Sequence, residues 1–131
     1  MYHTPFMPPE LHPKTMAGCD FDIGLAPLED TVFNRGKSCV KFYEYASVGT
    51  AVIASDVLPY SEEVDYRAKN THKDWYKKIE KLIVDEDYRK KLVAKQQEWV
   101  KKNRSLTAIG LPWELACQRE GIKGLTSSNQ E

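Results

Sequence analysis

The sequence predicts an α/β fold: a partial doubly wound (Rossmann-like) parallel sheet with flanking helices and a helical C-terminal part. Three observations carry this expectation. Residues 22–27 and 50–55 are short apolar runs bounded by turn residues, the pattern of strands buried on both faces. The segment between them has apolar residues at helical spacing, the order that a β–α–β crossover needs. Beyond residue 70 the periodicity is helical only. Two or three strands leave exposed edges, and a doubly wound domain has about five or six, so the chain is expected to supply part of a layer.

Pro5, Pro8, Pro9 and Pro13 crowd residues 1–13, which excludes a regular helix or central strand and predicts a loop or extended arm. A short helix is expected over residues 14–18, so that residues 1–19 form an arm with a helical end. Asp22-Ile23-Gly24-Leu25-Ala26-Pro27 is the first strand, stopped by proline. Residues 28–37 are polar and turn-rich. Ser38 is placed to cap a helix in which Cys39, Phe42, Tyr43 and Ala46 recur on one side. Gly49 stands where a left-handed residue closes a helix.

Thr50-Ala51-Val52-Ile53-Ala54-Ser55 is the second strand. Residues 56–59 form its exit loop, residues 60–64 one helical turn, and Tyr66-Arg67-Ala68 a short third strand. Thr71 and Asp74 have the spacing of a capping box, ahead of a helix with Trp75, Ile79, Leu82 and Ile83 on one face. Asp85, Glu86 and Asp87 put negative charge at the start of a further helix, where the dipole favours it. Tyr88, Leu92, Trp99 and Val100 form its apolar side. A last helix is expected over residues 106–119, with Ile109, Trp113 and Cys117, bent or broken at Pro112. Residues 121–131 read as a flexible tail.

The 131 residues suit one domain, large enough to bury roughly 65–70% of the surface its unfolded chain exposes. A net charge of zero gives nucleic acid no global attraction, so no nucleic-acid partner is expected. The zero hides a division. Residues 1–66 carry 4 Lys or Arg against 10 Asp or Glu, and residues 67–131 carry 15 against 9, so the halves are −6 and +6. A basic half favours phosphate or, weakly, an anionic membrane surface; the plainer account is the solvated outer faces of Lys-rich helices.

Cys19, Cys39 and Cys117 have no C-x-x-C or metal spacing, and His3, His12 and His72 add none, so neither metal nor cofactor is expected. An odd cysteine count behind a start without a secretory pattern predicts reduced thiols in a cytoplasmic protein. Cys39 and Cys117 are expected to pack as small core hydrophobes. No apolar run approaches the ~18 residues of a membrane span. Trp75, Trp99 and Trp113 read as packing anchors rather than sugar-stacking platforms.

Ligands of an open parallel sheet bind at the carboxyl ends of its strands. Two such ends are legible: residues 27–38 and Ser55-Asp56-Val57. N–H groups at a helix start favour an anion. Asn34-Arg35-Gly36-Lys37-Ser38 adds a guanidinium, an ammonium and a hydroxyl there, with Gly36 allowing close backbone approach. That set suits a diphosphate; a plain loop-to-helix junction has the same composition. A P-loop is excluded, because Thr31 stands where its first glycine would be. Glu44 follows on the same helix, among Phe42, Tyr43 and Tyr45. Its two oxygens suit the hydroxyls of a ribose. The alternative is a solvent-facing glutamate, or one paired with Lys41 three residues earlier.

The ordered block Pro27-Leu28, Phe33-Asn34, Gly36-Lys37-Ser38, Lys41, Glu44-Tyr45 and Ala54-Ser55-Asp56 resembles the C-terminal domain of group 1, retaining GT-B glycosyltransferases. The likeness is to the branch with a Gly-Lys-Ser variant and covers roughly residues 20–105. It implies a donor site for a nucleotide-diphospho-sugar at Asn34, Gly36, Lys37, Ser38, Lys41 and Glu44. The family has two glutamates eight positions apart, and Glu44 matches the second, which grips the donor ribose. The first falls on Gly36, so its sugar contact does not carry over. Lys37 and Ser38 match positions that face the diphosphate or sugar.

The resemblance also implies that residues 20–120 form a truncated donor-binding domain. The family's phosphate-gripping Arg/Lys pair and its acceptor-binding N-terminal domain match nothing in this sequence, and no catalytic residue is assigned. The expected function is therefore nucleotide-sugar binding as part of a glycosyl-transfer (hexosyltransferase-type) enzyme, inactive alone. A separate N-terminal polypeptide would complete it, and homo-oligomers are a second expectation. A non-catalytic α/β binding or assembly module and an unrelated phosphate-binding domain remain open alternatives.

Overall fold

A computed structural model describes residue 8 and residues 11–105. Its elements are α1 (His12–Cys19), β1 (Ile23–Ala26), α2 (Val32–Arg35), α3 (Val40–Ser47), β2 (Ala51–Ser55), α4 (Tyr60–Glu63), β3 (Arg67–Ala68), α5 (His72–Val84) and α6 (Glu86–Arg104). The helix expected over residues 106–119, the tail 121–131 and most of the Pro-rich arm lie outside the described residues.

The strands form one open parallel sheet in the order β1-β2-β3. β1 and β2 pair from Ile23↔Ala51 to Ala26↔Ala54, whereas β3 pairs only with Ala54 and Ser55. Every residue of β2 is buried, as a strand covered on both faces must be. One layer joins α3 and α4 to the sheet through Phe42, Ala46, Val52, Ala54, Tyr60 and Val64. The other joins α5 through Ala51, Ile53, Tyr66, Ala68 and Leu82. α6 serves both: Tyr88, Leu92 and Val93 pack in the second layer, Trp99 and Val100 against the first.

Between those two halves of α6 lies Gln96, fully buried. Parallel pairing alternates sides along β2. Ala51 N–H donates to Asp22 O on the β1 side, and Ala54 N–H donates to Tyr66 O on the β3 side. Val52, two residues before Ala54, therefore turns its N–H and C=O towards a position that β3 has not yet reached. Gln96 fills it: Val52 N–H donates to Oε1 at 2.9 Å, and Nε2 donates to Val52 O at 3.0 Å. A side-chain amide takes the place of a neighbouring strand.

β1 is less covered than β2. Leu25 is 43% exposed and the preceding Phe21 49%, and among the described residues β1 has a neighbouring strand on one side only. Gly24 explains how tightly the other face is closed. A Cβ there would stand 2.7 Å from Tyr45 Cγ, so the Tyr45 ring of α3 lies directly on the β1 backbone.

Several terminus signals read from the sequence hold. Gly49 has φ +84, the left-handed turn out of α3. Thr71 accepts from Asp74 N–H at 3.3 Å, and Asp85 from Tyr88 N–H at 2.9 Å. Others need correction. α1 starts at His12, within the stretch expected to be non-helical, because Pro13 falls in the first turn where its missing N–H has no partner to lose. The polar stretch after β1 contains α2, capped by Thr31, which accepts from Asn34 N–H at 3.1 Å.

Ser38 does not cap α3; Cys39 is the N-cap residue and makes no side-chain cap bond. Asp74 does not reach back to Thr71. It accepts from Lys69 N–H at 2.7 Å, closing the turn after β3 instead. Ile83 is 62% exposed, because the helix face already filled by Leu82 leaves it pointing outward.

Candidate functional site

The carboxyl ends of the strands are tied together by side chains that follow each strand. Ser55, at the end of β2 and fully buried, accepts from Leu28 N–H at 2.8 Å. Asn70, just past β3, donates to Leu28 O at 2.7 Å. Arg67 of β3 pairs with Asp56 at 2.7 Å and also donates to Val64 O. The exit from β1 is thus held by both other strands, although the sequence assigns no role to Asn70 or to the Asp56–Arg67 pair. The signal was present: polar residues directly after parallel strands line the ligand-bearing end of such sheets.

From Leu28 the chain turns through residues 29–39. Arg35 makes a two-pronged contact to Asp30 at 2.7 and 3.1 Å, and its guanidinium holds the Asp30 carboxyl below the usual carboxylate range. Asn34 is half-buried and donates through Nδ2 to Glu29 O at 2.9 Å, so its amide stabilises the turn. Gly36 has φ −86, and a Cβ there would meet Phe33 O at an ordinary 3.6 Å, so the local conformation does not itself demand glycine.

Lys37 is exposed and lays Nζ over the Phe33 ring, 5.0 Å from its centroid. Ser38 and Lys41 are exposed. Glu44, on the second turn of α3, is exposed, and its Oε1 stands 3.7 Å from His12 Nδ1 of α1. The ion pair that local spacing suggested, with Lys41, is not the one formed. Asn34 lies in α2, Gly36, Lys37 and Ser38 between α2 and α3, and Lys41 and Glu44 on α3, yet no side-chain hydrogen bond joins one to another among the described residues.

Behind them the chemistry is inert. Cys39 sits where a helix start would lower a thiol's pKa, but burial, with Glu63 adding to it, pushes the Cys39 thiol up to about 11. Tyr43 is pushed up to about 12 by burial and by its hydrogen bond to Glu63. Arg104 then donates through Nε to the Tyr43 hydroxyl at 3.0 Å and pairs with Glu63, fastening the end of α6 to α3 and α4. These groups stay protonated at neutral pH and offer no nucleophile.

A cavity of about 320 Å³ opens beside α6, lined in part by Phe42, Trp99, Gln96, Asp65 and Lys95. None of Asn34, Gly36, Lys37, Ser38, Lys41 or Glu44 lines it. Lys95 and Asp65 neutralise each other there at 2.6 Å. Among the described residues no group of three or more His, Cys, Asp or Glu could hold a metal ion, and no helix is long and apolar enough to cross a membrane. Compared with protein-family models, with curated proteins and with solved structures, the chain finds no match.

Proposed function

We propose that this chain is the donor-binding part of a GT-B-type glycosyltransferase, a doubly wound domain that takes a nucleotide-diphospho-sugar. One observation carries the reading. The chain runs from the carboxyl end of β1, through the turn at Asn34, Gly36, Lys37 and Ser38, into a helix that presents Glu44 as an exposed carboxylate.

In this reading the diphosphate takes the N–H groups at the start of α3, where no side-chain cap competes, together with Lys37 and Lys41. Lys37 gives up its ring contact to do so. An exposed cation–π contact is worth about 0.5–1 kcal/mol, and a charge-assisted hydrogen bond about 1.5–3, so phosphate wins. Glu44 accepts from the two ribose hydroxyls. Transfer further requires an acceptor held beside the donor and positive charge at the leaving phosphate. In this reading the residues of α2, α3 and the turn between them supply donor binding and neither of these.

Calorimetric titration of UDP and GDP tests the reading. Glu44→Gln keeps the size of the side chain and removes one charged acceptor, and is expected to weaken nucleotide binding by roughly 10- to 150-fold, the scale of one charge-assisted hydrogen bond. Equal affinity of the two proteins would defeat the assignment.

The same reading gives β1's half-covered edge a purpose, since further strands would pair there and bury Phe21 and Leu25. Left open, such an edge takes up another strand. Concentrated protein is expected to self-associate, and light scattering that reports only monomer at high concentration would count against it.

A further inference from the structure

We infer that the cavity beside α6 binds a small primary amine with an apolar body and an uncharged carbonyl, anchored by the second N–H of Gln96. The anchor follows from the planar geometry of an amide. Gln96 accepts from Val52 N–H through Oε1 at 2.9 Å and donates one N–H of Nε2 to Val52 O at 3.0 Å. A side-chain amide has two N–H donors, so one is left over. Because the N–H of a residue precedes its C=O along the chain, Nε2 lies on the Ala54 side of Oε1. The second N–H diverges from the first in the amide plane and points on along β2, to where β3 begins opposite Ala54. Among the described residues no hydrogen bond takes it up, although Gln96 is 1% exposed. A donor so deeply placed is costly without a partner.

The cavity lies on that side. Val64, Asp65 and Arg67, on the way into β3, line it together with Gln96. Phe42 and Trp99 give it an apolar wall, their ring centroids 5.7 Å apart. Its volume of about 320 Å³ falls at the low end of small-molecule pockets, roughly 300–1,000 Å³. Most charges around it are already matched: Lys95 pairs with Asp65, Arg67 with Asp56, and Arg104 with Glu63. Glu62 is the lining carboxylate that forms no ion pair among the described residues. A ligand that meets all three features has an apolar body for Phe42 and Trp99, one positive charge for Glu62, and a neutral acceptor for Gln96. An anionic acceptor would face the carboxylates of Glu62, Glu63 and Asp65 instead. The cavity shares no residue with the donor turn, so the inference does not rest on the nucleotide reading.

The experiment titrates phenylalaninamide, which joins the three features, into the isotope-labelled full chain and follows it by NMR. It is expected to shift the side-chain amide signals of Gln96 and the backbone signals of residues 64–67, with or without UDP present. Phenethylamine keeps the ring and the amine but lacks the carbonyl. It is expected to bind about fivefold more weakly, the size of one neutral hydrogen bond, and to leave the Gln96 side-chain signals in place. Glu62→Gln, a change at an exposed position, is expected to weaken phenylalaninamide about threefold, the size of one exposed ion pair. The same variant should leave the uncharged N-acetylphenylalaninamide unaffected. Gln96 side-chain signals that stay unmoved up to the solubility limit of phenylalaninamide overturn the inference and leave the second N–H to water. Equal binding of phenethylamine, or of phenylalaninamide by Glu62→Gln and wild type, overturns it as well.

Discussion

Gln96→Leu is expected to lower stability by about 2–6 kcal/mol, because each buried backbone group left without a partner costs about 1–3 and two are orphaned at once. Leucine matches glutamine closely in size, so little cavity forms. What is lost is the pair of bonds to Val52, at 2.9 and 3.0 Å, in a position where no strand and little water can replace them. Gln96→Glu separates the two contributions. Its carboxylate can still accept from Val52 N–H but faces Val52 O without a donor, so it should be no better than leucine at neutral pH and should recover on acidification. Denaturant unfolding monitored by tryptophan fluorescence reads both variants. A Gln96→Leu protein within 0.5 kcal/mol of wild type, roughly the scale of a neutral surface change, would mean that Val52 finds another partner.

Gly24→Ala carries an expected sign opposite to the usual one. In an unstrained place the change stabilises by about 0.4–1 kcal/mol, through the unfolded chain. Here the new methyl would meet Tyr45 Cγ at 2.7 Å and Cδ1 and Cδ2 at 2.9 Å. The contact falls at the root of the ring, so rotating the phenol cannot clear it; α3 or β1 must shift. Overpacking of this kind costs about 1–3 kcal/mol, and with the nearest atom this close the upper half of that range is expected. In a Tyr45→Ala background the penalty should shrink to near zero or reverse. A double-mutant cycle from thermal unfolding measures the difference. Additive single effects would show that the ring is not what forbids a side chain at residue 24.

These two positions also mark where the sequence stops being readable. The buried runs around Ile23 and Ile53, the helix end at Gly49, the cap at Thr71 and the acidic helix start at Asp85 are local patterns, and each predicts its own element. Gly24 in a strand signals that something approaches closely, but nothing nearby says that it is Tyr45, twenty-one residues on. Gln96 falls on the same stripe of α6 as Leu92, Trp99 and Val100. A polar residue there was a visible anomaly, yet its partner lies across the sheet edge.

The candidate site divides in the same way. The loop into α3 and the exposure of Lys37, Ser38 and Glu44 follow from polar, turn-rich sequence. The partner of Glu44 does not: local spacing offered Lys41, and tertiary placement of α1 brought His12 instead. Asp56 with Arg67, and Tyr43 with Glu63 and Arg104, are likewise contacts that only the folded chain creates.

A helix shared between two hydrophobic layers also governs how the molecule comes apart. Peeling α6 from either side uncovers apolar surface on that side and, at Gln96, exposes the peptide of the central strand. The nineteen residues of α6 therefore couple the two layers, and they are expected to melt together in one transition.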